Sequence, residues 1–417
     1  MTIDQTASSQ LFVMKRKVIV IGQGYSGRLS IARSVAEIGC EVILIALVFH
    51  KKDGNTLYEV KPIDGYSKYV KDVFYCFKKD GEGIVKILLE KCIDKETKPV
   101  IIPDNDFSAA VVDEHFDVLK EHFLLPYMKD GSERVSFWMD KIKQKKKAAE
   151  LGLHVTNYKV VEIRNAKYKT PSGIQYPCFV KPLQSITGGK AGLKKCCTEP
   201  ELYDHLDSMC RYENVDFLIE DYKEIAQEYA VLGFSDGEHV VIPGILEILR
   251  LAHGGHYGVA IQGKVYPVTS EHEKLVDLFK EFVLSIGFIG IFDIDYYKSG
   301  NVFYFGELNL RFGGSGYAYT KMGVNLPVMF VRYVCGEPYE DMPKIVSGSA
   351  TYVNERMLVD EWLMGFISKK ELGHLFNNSD IRFVESQEDK EPFRQMKKQM
   401  RINQMKMMIK SLLWRRR

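Results

Sequence analysis

Two strongly apolar runs between Gly290 and Ser315 carry polar side chains at regular intervals, and no other segment constrains the fold as much. A turn at residues 298–301, with the sequence KSGN, separates the runs, so the pattern predicts a β-hairpin. Side chains alternate between the two faces of a strand, which places the polar residues of each run on one face. Those residues are Asp293 and Asp295 in the first run and Glu307, Asn309 and Arg311 at the end of the second.

Carboxylates brought together on such a hairpin repel each other. At about 4 Å, two carboxylates repel by roughly 4 kcal/mol at an effective dielectric constant near 20, so the pair needs a divalent cation or a proton. Mg²⁺ is commonly held by one or two carboxylates, with waters and phosphate oxygens completing its shell. The hairpin therefore predicts a site for a hard cation, and the alternative is an acidic face in contact with water.

Length and composition predict a globular protein with several structural units, because 417 residues are too many for one compact core. The chain has 46% hydrophobic residues, 27% charged residues and a net charge near +2, which does not indicate nucleic acid as a partner. Its longest apolar run, Val42 to Phe49, is far shorter than a membrane span, and residues 1–10 do not predict a signal peptide. Eight cysteines without metal-site spacing favour free thiols and a cytoplasmic location.

The N-terminal region begins with a buried strand, a glycine turn, an amphipathic helix and a second buried strand. This βαβ order predicts a parallel sheet. Gly22, Gly24 and Gly27 match the GxGxxG pattern, which can bind phosphate at a helix N-terminus. A dinucleotide site should also have an acid at the end of the second strand, but residues 46–47 are Ala and Leu. A later strand ends in Asp104, Asn105 and Asp106, at an edge where ligands of open α/β sheets bind.

A loop of small residues in the middle of the chain favours phosphate binding. Thr187, Gly188 and Gly189 would allow backbone amides to approach anionic oxygens closely. Lys181, at the end of the preceding strand, adds a positive charge. The alternative is a mobile hairpin tip. The helix before these strands, about residues 136–152, is rich in lysine, and its lysines are expected to face water.

The last 25 residues, Phe393 to Arg417, include nine Lys or Arg residues and no acid. Ile402, Met405, Ile409 and Leu412 recur at helical spacing, so a basic amphipathic helix is predicted. Such a helix can lie on an anionic membrane surface. A basic tail that is disordered or docked on the core is the alternative.

Several of these features occur in an order that resembles the ATP-grasp superfamily. The features are Asp140 and Lys141 opening a helix, FVKP with Lys181, the SITGG loop, LIEDY with Glu220, then Glu228, Asp295, Glu307, Asn309 and Arg311. The resemblance covers roughly residues 103–327 and is greatest to carboxylate–amine ligases and the carbamoyl-phosphate synthetase large-chain branch, with D-aspartate ligase as a plausible relative. It implies a mixed α/β and α+β fold: a Rossmann-like domain at 15–126, an ATP-grasp domain at 127–335 with a lid at about 155–220, and an extension at 336–417.

The resemblance also implies a role for each matching residue. Lys141 and Lys181 would contact the phosphates of ATP, and the lid residues Ser185, Thr187, Gly188 and Gly189 would cover the triphosphate. Glu220, Asp221 and Tyr222 would form the hinge that meets the adenine, and Glu228 would bind the ribose. Asp295, Glu307 and Asn309 would hold Mg²⁺, with two ions expected and Mn²⁺ as a substitute. Arg311 would face an acyl-phosphate, whereas Asp293 is either an extra carboxylate near the metal or a substrate contact.

The implied reaction is the ATP-dependent activation of a small-molecule carboxylate, followed by attack of an amine. Lys181 and Arg311 would be catalytic, and His253 or His256 would either take a proton from the amine or simply be surface histidines. Two other hypotheses remain open from the sequence. The glycine pattern would fit an NAD-dependent oxidoreductase, and the basic tail would fit an idle ATP-binding module recruited to the inner membrane face. A homodimer is a further expectation.

Overall fold

The computed structural model describes residues 16–48, 61–131, 133–183, 192–212, 214–253 and 259–414, with side chains given up to residue 405. The predictions for Ser185, Thr187, Gly188, Gly189 and His256 lie outside the described residues. The described chain forms three sheets, and the strands of each are nearly all consecutive in sequence.

A four-stranded parallel sheet forms the N-terminal unit and confirms the predicted βαβ arrangement. The strands lie in the order β3-β2-β1-β4. The strands β1, β2 and β4 are almost continuously apolar because both faces of the sheet are covered, whereas the edge strand β3 carries exposed charged residues. The strands are β1 (Lys17–Gly22), β2 (Glu41–Val48), β3 (Val70–Phe77) and β4 (Val100–Pro103). The helices are α1 (Tyr25–Ala36), α2 (Gly81–Ile87), α3 (Asp106–Glu114) and α4 (Phe116–Leu119).

A nine-stranded, mostly antiparallel sheet forms the centre of the molecule. Its main order is β15-β14-β10-β12-β13-β16-β17, with β5 paired to β14 and β11 paired to β10. The strands are β5 (Tyr127–Met128), β10 (Gln227–Asp236), β11 (Val240–Val241), β12 (Ile245–Leu251), β13 (Ala260–Tyr266), β14 (Phe288–Ser299), β15 (Val302–Asn309), β16 (Ala350–Val353) and β17 (Ile381–Arg382). The predicted hairpin is confirmed as β14 and β15, and the region 336–417 contributes β16 and β17 to this sheet.

A smaller antiparallel sheet, in the order β6-β9-β7-β8, lies within the region predicted as the lid. Its strands are β6 (Tyr158–Arg164), β7 (Cys178–Pro182), β8 (Lys194–Cys196) and β9 (Asn214–Asp221), with helix α6 (Glu199–Met209) beside them. Val161, Val180 and Phe217 of the sheet pack with Leu202 and Leu206 of α6 in a separate small core. This core holds the two strands that carry Lys181 and Glu220 in a fixed relation.

The remaining helices connect and cover the sheets. They are α5 (Lys141–Glu150), α7 (Ser270–Ser285), α8 (Tyr317–Lys321), α9 (Leu326–Val334), α10 (Glu355–Leu363), α11 (Lys369–Asn377) and α12 (Glu391–Trp414). The start of α12 docks on the N-terminal unit, where Met396 packs with Leu29 and Ile63. Among the described residues, no helix is both long and apolar enough to span a bilayer.

Candidate functional site

The carboxylates of the hairpin face each other across the two strands because the register shifts by one residue, as in a β-bulge, between Asp295 and Tyr296. Asp295 is opposite Glu307 and Asp293 is opposite Asn309. The amide nitrogen of Asn309 lies 3.3 Å from Asp295 Oδ2. The close protein surroundings of Asp295, together with the charge of Asp293, raise its pKa well above the usual range, although its side chain is exposed to solvent at the surface of the strand.

This set of donors fits a hard divalent cation. Asp295, Glu307 and the side-chain oxygen of Asn309 supply only oxygen ligands, and a bound cation would offset the repulsion that raises the pKa of Asp295. Within the described ranges no cluster of three or more His, Cys, Asp or Glu side chains forms a candidate metal site. Two carboxylates and one amide therefore leave most of the coordination shell to water or to phosphate oxygens.

Helix α5 joins the hairpin to the smaller sheet through two buried lysines. Asp140 caps the helix by accepting the backbone N–H groups of Ile142 and Lys143. Lys141 Nζ lies 2.9 Å from Glu307 Oε1 of β15. Lys145, one helical turn later, lies 3.0 Å from Glu220 Oε1 of β9. The expectation that the lysines of this helix face water is wrong for these two residues, which are only 6% and 2% exposed.

Glu220 is shared by two lysines. Lys181 Nζ from β7 lies 3.0 Å from the same Oε1 atom that Lys145 contacts. Burial raises the pKa of Glu220, but the two ammonium groups outweigh it and leave the pKa lowered. Burial also lowers the pKa of Lys145 to about 8, and its Nζ donates to Thr156 at 2.8 Å. Lys145 was not predicted as a site residue, although its spacing of four residues from Lys141 places the two lysines on the same face of the helix.

Gln144 fixes the distance between α5 and the hairpin. Its side-chain nitrogen donates to the carbonyl of Leu308 at 2.7 Å, and its oxygen accepts the Leu308 N–H at 2.9 Å. Leu308 lies between Glu307 and Asn309, so this amide pair holds both candidate ligands against the helix. The sequence analysis did not single out Gln144 either.

The predicted adenine hinge and ribose acid lie at the ends of two strands. The backbone N–H groups of Asp221 and Tyr222 donate to the carbonyls of Asn157 and Pro177. The ring of Tyr222 lies 3.9 Å from Lys195 Nζ. Glu228, near the start of β10, is opposite Tyr297 of β14, and burial raises its pKa. The charge of Glu228 in turn contributes to the raised pKa of Asp295, so the two acids lie in one neighbourhood.

Arg311 connects the central sheet to the N-terminal unit. Its Nη1 donates to Asp293 Oδ2 at 2.9 Å, and its Nε donates to Asp106 Oδ1 at 3.1 Å. Burial alone would lower the pKa of Arg311. The charges of Asp106 and Asp293 outweigh this effect and leave the pKa raised, so the guanidinium stays charged. Asp293, whose role the sequence left open, is therefore directed at Arg311. The glycine at 313 is required there, because a Cβ would lie 2.4 Å from Asp293 Oδ2.

The carboxylate of Asp104 occupies the space beside the glycines of the N-terminal GxGxxG pattern. A Cβ on Gly22 would lie 1.4 Å from Asp104 Oδ1, and a Cβ on Gly27 would lie 3.2 Å from Asp104 Oδ2. Arg28 closes the other side by donating to the Gly22 carbonyl and to Asp64. Burial raises the pKa of Asp104 to about 7. The close glycines thus make room for Asp104, whose negative charge opposes a pyrophosphate in the same place.

His253 is held by the C-terminal region. Its backbone N–H and its Nδ1 contact the carboxylate of Glu361, at 2.6 and 2.7 Å. Glu361 is 1% exposed, whereas the side chain of His253 is 55% exposed and its ring stacks on Phe366. These contacts fix the orientation of the ring, and its role in proton transfer stays a prediction.

Known proteins resemble this chain over part of its sequence and most of its fold. No protein-family model matches it. It is 29% identical over 172 residues to the carbamoyl phosphate synthase large chain of Clostridium perfringens, a match that covers 40% of this chain and 16% of the relative. The large chain of Clostridium botulinum is 28% identical over 173 residues, with the same coverage. The matched segment is therefore only about a sixth of the length of these relatives.

Three solved structures share the fold at low sequence identity. An N5-carboxyaminoimidazole synthetase from Staphylococcus aureus is 15% identical, with a TM-score of 0.59 and coverage of 85% of this chain and 87% of that chain. An L-amino acid ligase from Bacillus licheniformis is 15% identical, with a TM-score of 0.55 and coverage of 81% and 79%. Biotin carboxylase from Campylobacter jejuni is 15% identical, with a TM-score of 0.58 and coverage of 81% and 74%.

Proposed function

We propose that this chain, which has the ATP-grasp fold, is an ATP-dependent ligase that joins a small-molecule carboxylate to an amine. The observation that carries the proposal is the double bridge made by α5. Lys141 pairs with Glu307 at the candidate metal site, and Lys145 pairs with Glu220, which also holds Lys181. Positive charges for a triphosphate and oxygen ligands for its cation thus lie on adjoining elements.

Each residue has a part in this reaction. ATP would supply a phosphoryl group that activates the substrate carboxylate, and Mg²⁺ would offset charge on the phosphate oxygens. Lys141 and Lys181 neutralise the phosphates. Asp295, Glu307 and Asn309 hold the cation, with a second ion or Mn²⁺ as further expectations. Arg311, permanently charged and fixed by two carboxylates, orients the carboxylate that becomes activated.

The finer assignments of the nucleotide site belong to the same proposal. Glu220, Asp221 and Tyr222 meet the adenine and Glu228 binds the ribose. Ser185, Thr187, Gly188 and Gly189 cover the triphosphate. The parallel sheet of the N-terminal unit supports a Rossmann-like domain at residues 15–126, followed by an ATP-grasp domain at 127–335. The acid and the amine are both small molecules in this proposal, in keeping with the structural similarity to an N5-carboxyaminoimidazole synthetase and an L-amino acid ligase.

The direct test measures ADP release from MgATP across a panel of carboxylates, with hydroxylamine present to trap an acyl-phosphate. We expect at least one carboxylate to raise ADP release and to yield a hydroxamate. Stimulation by none of them would contradict the ligase, and ATP binding without stimulation would instead favour the idle ATP-binding module.

The metal site is tested by Glu307→Ala. Glu307→Ala removes one of the two candidate carboxylate ligands and the partner of Lys141, so it should abolish Mg²⁺-dependent turnover because the cation is no longer fixed against the phosphates. Circular dichroism should show an unchanged fold. Glu150→Ala, at the exposed end of α5, is the matched control and should retain activity. Near-normal turnover in Glu307→Ala would refute the assignment of the metal ligands.

The oxidoreductase hypothesis is not supported. Asp104 fills the glycine pattern, and the curated and structural relatives are ligases and carboxylases. A thermal-shift comparison of MgATP with NAD gives a direct check, in which only MgATP is expected to raise the melting temperature.

We further propose that the basic tail contacts the inner face of an anionic membrane while the rest of the chain stays in the cytoplasm. Met396 anchors the start of α12 on the core, whereas Ile402 and Met405 are exposed on a segment without acids. Co-sedimentation with anionic liposomes should disappear on truncation after Arg401. Equal binding by both forms would end this proposal. Homodimerisation remains an expectation that light scattering can test.

A further inference from the structure

The corner around Arg311 contains more negative charge than the arginine can neutralise. Asp106 and Asp293 both contact its guanidinium, and the charge of Arg311 also acts on Asp104. Arg28 is paired with Asp64 and donates to the Gly22 carbonyl. Arg28 also acts on Asp104, so these three carboxylates and Asp64 outnumber the two arginines at the carboxyl end of β4, where the N-terminal unit meets the central sheet. We call Asp104, Asp106 and Asp293 the carboxylate corner.

Two oxygens of the carboxylate corner have no hydrogen-bond partner among the described residues. They are Oδ1 of Asp104 and Oδ1 of Asp293, and both atoms are buried. Asp293 as a residue is 8% exposed. A buried acceptor without a donor costs free energy, and for a charged group the cost is higher. The corner thus has fewer donors and positive charges than its carboxylate oxygens require, and a ligand with N–H groups and a positive charge supplies both.

We propose that the amine substrate binds as a cation in the carboxylate corner, and that Asp104 receives a proton that the amine loses before it attacks. This inference rests on the proposed ligase function. Arg311 orients the activated carboxylate beside the same corner, so the nucleophile and the carbon it attacks are held by neighbouring groups. Asp106 acts through Arg311 and is a positioning residue.

The step balances without any further reactant. An ammonium group gives one proton to the Asp104 carboxylate, which leaves a neutral amine with a free electron pair. That pair forms the C–N bond to the carbonyl carbon of the acyl-phosphate. The bond between this carbon and the oxygen that bridges it to phosphorus breaks, and its electrons leave with the phosphate. The second proton lost by nitrogen passes to the departing phosphate. The products are the amide, inorganic phosphate and a protonated Asp104, which returns its proton to water.

The geometry of Asp104 suits this role. Its carboxylate is fixed against Gly22 and Gly27, accepts the backbone N–H of Gln23 and faces the charges of Arg28, Asp64 and Arg311. The side chain as a whole is only half-buried, so it can exchange a proton with solvent after each turnover. Its pKa of about 7 allows it to accept a proton from an amine and to release it again near neutral pH.

The test compares a charged nucleophile with an uncharged one on the same enzyme. The full chain, MgATP and a panel of carboxylates are combined at pH 7 either with hydroxylamine, which is uncharged there, or with a panel of L- and D-amino acids. The measured quantity is the ratio of amide to hydroxamate. We expect Asp104→Asn to lower this ratio at least tenfold, because the variant can neither attract nor deprotonate an ammonium group. Asp72→Asn, an exposed position in the same sheet, is the matched control and should keep the wild-type ratio.

The possible results distinguish a failure of the proposed amine site from a failure of the proposed ligase function. An unchanged ratio in Asp104→Asn would overturn the inference while leaving the ligase intact. Hydroxamate without amide from any charged amine in the wild type would also overturn it. Absence of both products would refute the proposed function itself. If Asp104→Asn does not fold, Asp106→Asn provides the second variant, and its KM for the amine should rise while its KM for ATP does not.

Discussion

At the scale of single residues, the charged groups that are buried at the site lower the stability of the fold. Asp104 and Lys145 both have a pKa displaced by burial toward the neutral form. Neither residue interrupts an apolar pattern in the sequence, so neither could be identified as buried before the fold was known. Displaced pKa values of this kind concentrate at functional sites.

Replacement of Asp104 by Asn should stabilise the protein at neutral pH. The pKa of Asp104 is raised from 3.8 to about 7 in the folded chain, so the folded state binds more protons than the unfolded state between these values. Stability of the wild type therefore falls as pH rises from about 4 to 7. The variant should gain about 2–4 kcal/mol over the wild type at pH 8 and little at pH 4, as measured by urea unfolding. Equal gains at both pH values would contradict the assigned ionisation.

Replacement of Lys145 by Met should weaken ATP binding. Without Lys145, Glu220 is balanced by Lys181 alone, so Lys181 is less free to contact a phosphate. We expect the Kd for ATP to rise about tenfold, equivalent to roughly 1.4 kcal/mol, in calorimetric titrations. The exposed Lys146 of the same helix provides the control Lys146→Met. Similar affinities in the two variants would show that Lys145 has only a structural role.

At the scale of secondary-structure elements, the sequence predicts the elements that local patterns define, but not the contacts between residues far apart in the chain. The pairing of Asp295 with Glu307 depends on a register shift next to Asp295, which the sequence does not reveal. The hairpin itself was predictable, because the apolar alternation of β14 and β15 and the turn between them are local signals. The βαβ unit was predictable for a similar reason. The choice of partner for Arg311 was not, since Asp106 lies 205 residues away and no periodicity links the two. The contact of the Asp104 carboxylate with Gly22 and Gly27 could not be predicted for the same reason.

Helix α5 is the element on which the site depends most, and Gln144 tests this. Gln144→Leu removes the donor and the acceptor that pair with the buried backbone of Leu308. Two backbone groups left without partners should lower the free energy of unfolding by about 2–4 kcal/mol in urea. Lys146→Leu, on the exposed face of α5, should change it by less than about 0.5 kcal/mol. Equal effects would mean that water replaces the amide at Leu308.

At the scale of the whole molecule, a buried ion pair between Arg33 and Asp389 joins the N-terminal unit to the C-terminal region. Arg33 of α1 donates to the Asp389 carboxylate and to the carbonyls of Phe383 and Val384. Asp389 also accepts from the Ser67 hydroxyl and the backbone N–H of Lys68. The C-terminal region thus completes the N-terminal unit, and it also contributes strands to the central sheet.

Asp389→Ala should be among the most damaging single changes outside the site. It leaves Arg33, which is 5% exposed, without its carboxylate, and the loss of one partner of a buried pair costs about 3–5 kcal/mol. Thermal unfolding should shift accordingly. Asp341→Ala, which removes the exposed partner of Arg332, should cost less than about 1 kcal/mol. Comparable losses in both variants would contradict this view of how the chain ends are held.

The ion pair between Arg311 and Asp106 can form only after both residues have been synthesised and the two units have docked. A nascent chain contains Asp106 long before Arg311 is synthesised, and the central sheet alone supplies only one of the two carboxylates that hold the guanidinium. During refolding, hydroxamate formation should therefore appear only after the sheets are formed and docked, later than the recovery of secondary structure. Separately expressed halves should each lack it until they are mixed. In the proposed reaction, an incomplete chain would not consume ATP, because the arginine that orients the carboxylate is not yet held in place.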